Sequence, residues 1–166
     1  MKFTKLRDVK SPTRANATDA GIDFYVPEED EAFIQDFEKK NPGIRWESRV
    51  NAWQVDPGDS VLIPSGVKVR FDPGHALVAF NKSGVAVKKG LSVMACVVDE
   101  TYMGEVHLSL VNATNSFTYV YPGEKIVQFL LLPINYSQPE EVETEEKLYE
   151  GFKSSRGEGG FGSSGV

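Results

Sequence analysis

Residues 57–80 read PGDSVLIPSGVKVRFDPGHALVAF. The stretch contains three short β-prone runs, Ser60–Ile63, Val67–Phe71 and Ala76–Phe80, with the turn sequences PGD, PSG and DPG before and between them. Proline presets φ at turn positions and glycine supplies a positive φ where a turn needs it. Many short strands with regularly spaced turns are typical of a β sandwich or barrel.

The same pattern continues towards the C-terminus. A PGE turn at 122–124 interrupts it once more. The further β-prone runs are Val93–Val98, Val106–Val111, Phe117–Tyr121 and Lys125–Leu132. The sequence therefore predicts an all-β domain.

One segment, residues 28–56, departs from this pattern. It contains a helix candidate at about 29–40, where three apolar residues recur at helical spacing, and it also contains Trp46 and Trp53. We interpret it as a surface insertion with a short helix, either a loop packed on its own barrel or a partner-binding element. Residues 1–150 are predicted to form one β domain and residues 151–166 a flexible C-terminal lid.

Composition limits the classes of function. The 166 residues are 40% hydrophobic and 25% charged, which is typical of one globular domain. The lone cysteine, Cys96, fits a reducing compartment, and the sequence has no long apolar run, so we expect a cytoplasmic protein without a membrane segment. A net charge of −6 argues against stable nucleic-acid binding. An acidic protein can still bind a phosphorylated small molecule through local N–H groups and a few cations.

Several short stretches carry reactive groups, and each also has a plainer interpretation. Lys82-Ser83-Gly84 offers a cation, a hydroxyl and N–H groups to a phosphate, although such residues are also common in solvent turns. Asp99 follows an apolar run and precedes Tyr102, so it is either a turn residue or a base that orients water beside a sugar. Gln128 lies in an apolar strand and either makes a structural hydrogen bond or faces a ligand.

Other reactive side chains are interpreted as structural. His75 and His107 have no neighbouring ligands at the spacing of a zinc site. Cys96 has no evident histidine partner, and we interpret it as a small buried residue.

Five stretches in this order, DAGID (19–23), NKSG (81–84), VVDETYMGE (97–105), PGEKIVQ (122–128) and RGEGGFGSSGV (156–166), resemble the five motifs of the homotrimeric dUTP diphosphatases. The resemblance implies a jelly-roll-like β subunit and a homotrimer with active sites shared between subunits. It implies hydrolysis of dUTP to dUMP and pyrophosphate, which keeps uracil out of DNA and supplies dUMP for thymidylate synthesis. It also implies Mg²⁺ held mainly by the triphosphate and water.

The resemblance assigns roles to individual residues. Asp99 would activate the water that attacks the α-phosphorus, and Tyr102 would stack on the deoxyribose and exclude a 2′-hydroxyl. The hairpin Val93–Val98 would read uracil through backbone groups, and its tightness would exclude a thymine methyl. Lys82, Ser83, Gly84 and Gln128 would contact phosphates, with Asp19 and Asp23 in support.

The glycine-rich tail would close over bound nucleotide as a lid. Phe161 would cap the uracil ring, and the β- and γ-phosphates would be held by Arg156, Ser163, Ser164 and glycine N–H groups such as that of Gly162.

Some residues depart from the family pattern, and two rival functions stay open. Lys82 stands where arginine is more usual, and Cys96 where glycine is common. A dCTP deaminase or bifunctional enzyme shares the fold, but Ser109 aligns where its glutamate is needed. A trimeric nucleotide-sensing regulatory protein is the non-catalytic alternative.

Overall fold

The computed structural model describes residues 1–159, which form twelve strands and three helices. The chain divides into two compact units, residues 1–135 and 136–166. The strands are β1 Lys2–Lys5, β2 Ile22–Tyr25, β3 Arg45–Glu47, β4 Ala52–Val55, β5 Ser60–Pro64, β6 Val67–Arg70, β7 His75–Asn81, β8 Leu91–Val93, β9 Val97–Val98, β10 His107–Asn112, β11 Thr118–Val120 and β12 Lys125–Pro133. The helices are α1 Glu31–Lys40, α2 Ser83–Lys89 and α3 Glu145–Leu148.

The strands of the first unit pair antiparallel in four sheets within residues 1–159. The largest has the order β2-β12-β7-β9, and the others are β5-β10-β8, β11-β4-β3 and β1-β6. The nine-residue strand β12 lies between β2 and β7, so that Gln128 is opposite both Asp23 and Phe80. This architecture confirms the predicted all-β, jelly-roll-like fold.

The β-prone run Val93–Val98, expected from the family resemblance to be a hairpin, is interrupted. Strand β8 ends at Val93 and pairs with β10, whereas β9 begins at Val97 and pairs with β7. Because its two halves pair with different sheets, the chain leaves the strand conformation between them, and the β-prone run forms a strand only at its two ends.

Helix α2 was missed by the sequence analysis, which placed a turn at Lys82-Ser83-Gly84. The helix begins at Ser83, ends at Lys89 and is capped by Gly90, whose φ of 64° is left-handed and therefore suits glycine. Only Val85 of α2 is buried. Without a repeated apolar face, the hydrophobic pattern gave no helical period, although two terminal lysines before a glycine are a helix-end signal.

Segment 28–56 contributes to the hydrophobic core. Asp30 caps α1 by accepting a hydrogen bond from the Phe33 N–H at 2.7 Å. The helix buries Phe33 and Phe37 against Trp53 of β4, with the Phe37 and Trp53 rings stacked 4.4 Å apart. The predicted helix is therefore present, but the segment is more than a surface loop.

The second unit begins at Tyr136 and carries the acidic stretch EEVETEEK at 140–147. Within it, α3 is a single turn capped by the Thr144 hydroxyl, and its side chains are exposed. The predicted tail residues Phe161, Gly162, Ser163 and Ser164 lie outside the described residues. Among residues 1–159, no helix is long and apolar enough to cross a membrane.

Candidate functional site

A cavity of about 180 Å³ lies at the end of β9. It brings together Val98 and Tyr102, which the family resemblance assigns to the nucleoside, and Asp99, which it assigns to activation of the attacking water. The remaining lining residues are Ala95, Cys96, Val97, Glu105, Val106, His107 and Phe129. Its walls are therefore largely apolar, with Asp99, Glu105, His107 and the Tyr102 ring as the polar side chains.

Asp99 and Tyr102 are held in one tight turn. The Tyr102 N–H donates to the Asp99 carbonyl at 3.1 Å, and the Tyr102 hydroxyl donates to the Glu105 carbonyl at 3.0 Å. Gly104 lies directly beside the ring, where an added Cβ would overlap the Tyr102 hydroxyl. The Asp99 carboxylate itself is exposed, so water has access to it.

A second group of predicted residues surrounds Asp23 on β2. This carboxylate is buried, and it pairs with Lys82 through Oδ1 and with Lys125 through Oδ2 at 3.1 Å. A hydrogen bond to Asp23, together with its charge, raises the pKa of Lys125 above its ordinary value. A buried carboxylate is costly unless it is paired, and here two ammonium groups compensate it.

Gln128 belongs to the same group and has a structural partner. Its Nε2 donates to the Asn81 carbonyl at 2.8 Å, and its Oε1 packs where a Cβ on residue 21 would be, so a side chain there would displace the Gln128 amide. Asn81 also accepts a hydrogen bond from the Val93 N–H at 2.7 Å through its side chain. Val93 is thereby fixed at the same end of β7 as Gln128.

Asp19 lies in the loop before β2 and closes a turn. Its carboxylate accepts a hydrogen bond from the Asn16 N–H at 2.9 Å. Within residues 1–159 its side-chain hydrogen bonds are made with groups of Asn16, so Asp19 shapes this loop in the single chain.

The two groups lie at opposite ends of β7. Asp99 follows Val98, which is opposite Leu77 near the start of β7, whereas Lys82 follows the last residue of that strand. At about 3.4 Å per residue, the five residues from Leu77 to Lys82 span roughly 17 Å. One chain therefore does not bring its Asp99 and its Lys82 into the same small site.

Three residues of the site were not singled out from the sequence. Glu105 lies beside Asp99 and Tyr102, while Asn81 and Lys125 contact Gln128 and Asp23. All three stand inside the quoted stretches, so their position in the motifs was the available signal. Gln128 and Asp23 lie far along the chain from Asn81 and Lys125, so no local pattern indicates these two contacts.

His107 Nδ1 contacts the Glu105 carbonyl at 2.9 Å, whereas its Nε2 is buried and has no hydrogen-bond partner among residues 1–159. The same residues contain no group of three potential metal ligands. Cys96, predicted to be buried, is exposed beside the cavity because it lies in the link between β8 and β9.

Comparison with known proteins identifies the family. The dUTPase family model matches residues 49–165, which is more than half of the chain. The chain belongs to the dUTPase family. The predicted family and hydrolase class are confirmed. The match begins after α1, so the family model leaves out the DAGID motif and most of segment 28–56.

Curated dUTPases and a solved structure extend this match. Deoxyuridine 5'-triphosphate nucleotidohydrolase of Shigella sonnei is 36% identical over 120 residues, covering 69% of this dUTPase-family chain and 74% of the relative. The Neisseria meningitidis enzyme of the same name is 36% identical over 115 residues, covering 68% and 73%. A mutant Staphylococcus bacteriophage 80alpha dUTPase with dUpNHpp has a TM-score of 0.74 at 21% identity, covering 99% of this chain and 98% of that one. This last similarity shows the fold.

Proposed function

We propose that this dUTPase-family protein hydrolyses dUTP to dUMP and pyrophosphate. The observation that carries the proposal is the placement of the exposed Asp99 carboxylate and the Tyr102 ring in one cavity at the end of β9. A carboxylate open to water can act as a general base, and the ring supplies a flat apolar surface for a sugar.

The cavity binds the nucleoside. Residues 95–98 line it, and in this proposal their backbone groups hydrogen-bond the uracil edge while Tyr102 packs on the deoxyribose. Gly104 lets the ring lie close to the chain, so the ring leaves no space for a 2′-hydroxyl. Asp99 takes a proton from water as the water attacks the α-phosphorus, and the α–β phosphoanhydride bond breaks to release pyrophosphate.

The second group binds the triphosphate. Lys82 provides a cation, Ser83 a hydroxyl, and the first turn of α2 leaves the Gly84 N–H without an intrahelical partner. Asp23 holds Lys82 in place before nucleotide arrives. A lysine lacks the bidentate fork of the more usual arginine, so this support matters for its orientation.

Magnesium is bound mainly through the triphosphate and water in this proposal. Residues 1–159 offer no cluster of three ligands, and both oxygens of Asp23 already pair with lysines. Mg²⁺ loses its water ligands reluctantly and usually keeps several of them when it is bound. When bound it supplies positive charge to the phosphate oxygens.

A homotrimer with shared sites accounts for the separation of the two groups. Since Asp99 and Lys82 stand roughly 17 Å apart along β7, a site that needs both is completed by a second copy of the chain. Arg156 and Phe161 of the tail then close over the nucleotide as a lid.

The test of the function is substrate specificity. We expect pyrophosphate from dUTP with Mg²⁺, and far less from dTTP, dCTP or UTP. Ammonia from dCTP would instead support the deaminase, which the neutral Ser109 on β10 disfavours. Tight dUTP binding without turnover would support the nucleotide sensor.

Tyr102→Ala is expected to weaken the exclusion of UTP more than that of dTTP. The ring is proposed to meet the sugar, whereas the thymine methyl meets the backbone of residues 95–98. Ratios of kcat/KM for the three nucleotides measure this, with Tyr121→Ala as a control on an exposed tyrosine outside the cavity. Equal loss of discrimination against both competitors would remove Tyr102 from the sugar site.

Mixing two inactive variants is expected to restore activity. One carries Asp99→Asn with an intact tail, and the other ends at Ser155 but keeps Asp99. If Asp99 and the tail of one site come from different subunits, random mixed trimers return to about a quarter of wild-type activity. Refolding the two together at equal amounts and assaying dUTP hydrolysis tests this. Mixed trimers without recovered activity would place both elements on one chain.

A further inference from the structure

Glu105 anchors the turn that carries Asp99 and Tyr102. Its carbonyl accepts hydrogen bonds from the Tyr102 hydroxyl at 3.0 Å and faces His107 Nδ1 at 2.9 Å. Its carboxylate accepts from the Gly66 N–H at 2.5 Å. Only 13% of the Glu105 side chain is exposed, so this carboxylate is costly to leave without a cation.

The cation is Arg7, which follows β1 and connects Glu105 to α1. Arg7 Nη2 lies 3.1 Å from Glu105 Oε2, and Nη1 lies 3.4 Å from Asp36 Oδ2 on the helix. Its guanidinium also stands 5.7 Å above the Phe33 ring. The stem packs so closely on the β5–β6 turn that a Cβ at Gly66 would meet Arg7 Cγ at 2.8 Å.

We propose that Arg7, oriented by Asp36 of α1, is a positioning residue that fixes the Glu105 anchor and thereby sets the geometry of Asp99 and Tyr102. The catalytic part of this inference rests on the proposed function. Neither Arg7 nor Asp36 lies in residues 49–165, the part matched by the family model. The residues that hold Glu105 in place therefore come from the N-terminus and segment 28–56 of this chain.

The geometry of the fork explains why arginine is required here. Two nitrogens of one guanidinium contact carboxylates on different elements, which a lysine ammonium does not reproduce at a fixed angle. Lys40 also pairs with Asp36, and the hydrogen bond and charge of Lys40, followed by those of Arg7, hold the pKa of Asp36 below its ordinary value. Asp36 is thus ionised at neutral pH and able to orient Arg7.

Arg7→Met keeps the apolar stem and removes the fork. We expect kcat for dUTP to fall roughly 10- to 100-fold, as for a displaced catalytic group. KM should change less, and the preference for dUTP over UTP should decrease because Tyr102 loses its fixed position. Arg7→Lys should be intermediate, and Arg7→Met combined with Asp36→Asn should be no worse than Arg7→Met alone.

Arg45→Met is the matched control. Arg45 also forms an ion pair within segment 28–56, but the contact to Asp56 is 3.8 Å and 73% of the side chain is exposed. Its kcat and sugar preference should stay within about twofold of wild type, since exposed pairs contribute little.

Amide hydrogen exchange of residues 99–106 separates this inference from the proposed function. Faster exchange there in folded Arg7→Met, with β11 unchanged, is expected whether or not the protein hydrolyses dUTP. If Arg7→Met or the milder Asp36→Asn leaves exchange, kcat and UTP discrimination at wild-type values, the inference is overturned. If exchange rises but wild-type protein does not hydrolyse dUTP, the proposed function and the catalytic part of the inference fail, and only the anchoring contact stands.

Discussion

Asp99→Asn is expected to lower kcat for dUTP by roughly 10²–10⁴-fold. The substitution keeps the shape of the side chain but replaces the carboxylate that we propose accepts a proton from water. Because Asp99 is exposed at the cavity and the neighbouring Tyr102 is held through backbone atoms, the turn and the cavity should persist. Steady-state hydrolysis of dUTP with Mg²⁺ measures the loss.

The matched control is Asp59→Asn, an exposed aspartate in the turn before β5. It should retain wild-type turnover. Binding of the imido analogue dUpNHpp, measured by calorimetry, should be nearly unchanged in Asp99→Asn, which separates loss of chemistry from loss of binding. Near wild-type turnover in Asp99→Asn would show that another group activates the water.

Trp53→Ala is expected to lower the free energy of unfolding by about 3–5 kcal/mol, the usual cost of deleting a large buried ring. Trp53 is fully buried and contacts the rings of Phe33, Phe37 and Trp46 at centroid distances of 5.4, 4.4 and 4.5 Å. Its removal leaves α1 without the surface on which it packs. Denaturant unfolding at one fixed protein concentration measures the change, because assembly contributes to apparent stability.

Two further variants sharpen this test. Phe117→Ala deletes a ring that is 54% exposed and should cost less than about 1 kcal/mol. Trp53→Phe keeps an aromatic ring and removes an indole N–H that has no hydrogen-bond partner among residues 1–159, so it should cost less than Trp53→Ala. Equal destabilisation by Trp53→Ala and Phe117→Ala would mean that segment 28–56 contributes little to the core.

Much of the β structure was predictable from local sequence. The run Lys125–Leu132 and the turn signals around Ser60–Ile63 gave β12 and β5 within one residue of their observed bounds. Strand β1 gave no such signal, since all four of its side chains are exposed in the single chain and no apolar face marks it. Periodicity detects an element only where one face is buried.

The candidate site likewise contains some residues that local sequence indicates and others that it does not. The sequence marked Lys82, Asp99 and Tyr102 because their chemistry stands in short recognisable stretches. It did not mark Glu105 or Lys125, whose partners are Arg7 and Asp23. Arg7 and Glu105 are 98 residues apart, so no local pattern joins them.

By itself, the sequence determined the β class, the turns and the kinds of reactive group at the site. These depend on φ preferences, side-chain periodicity and chemical type, which are properties of neighbouring residues. Only the tertiary structure decided that Trp53 is core, that Lys82 and Asp99 stand at opposite ends of β7, and that Asp36, Arg7 and Glu105 form one chain of contacts. Such pairings follow from closure of the sheets and packing of α1, which bring together charges that must compensate each other once they leave water.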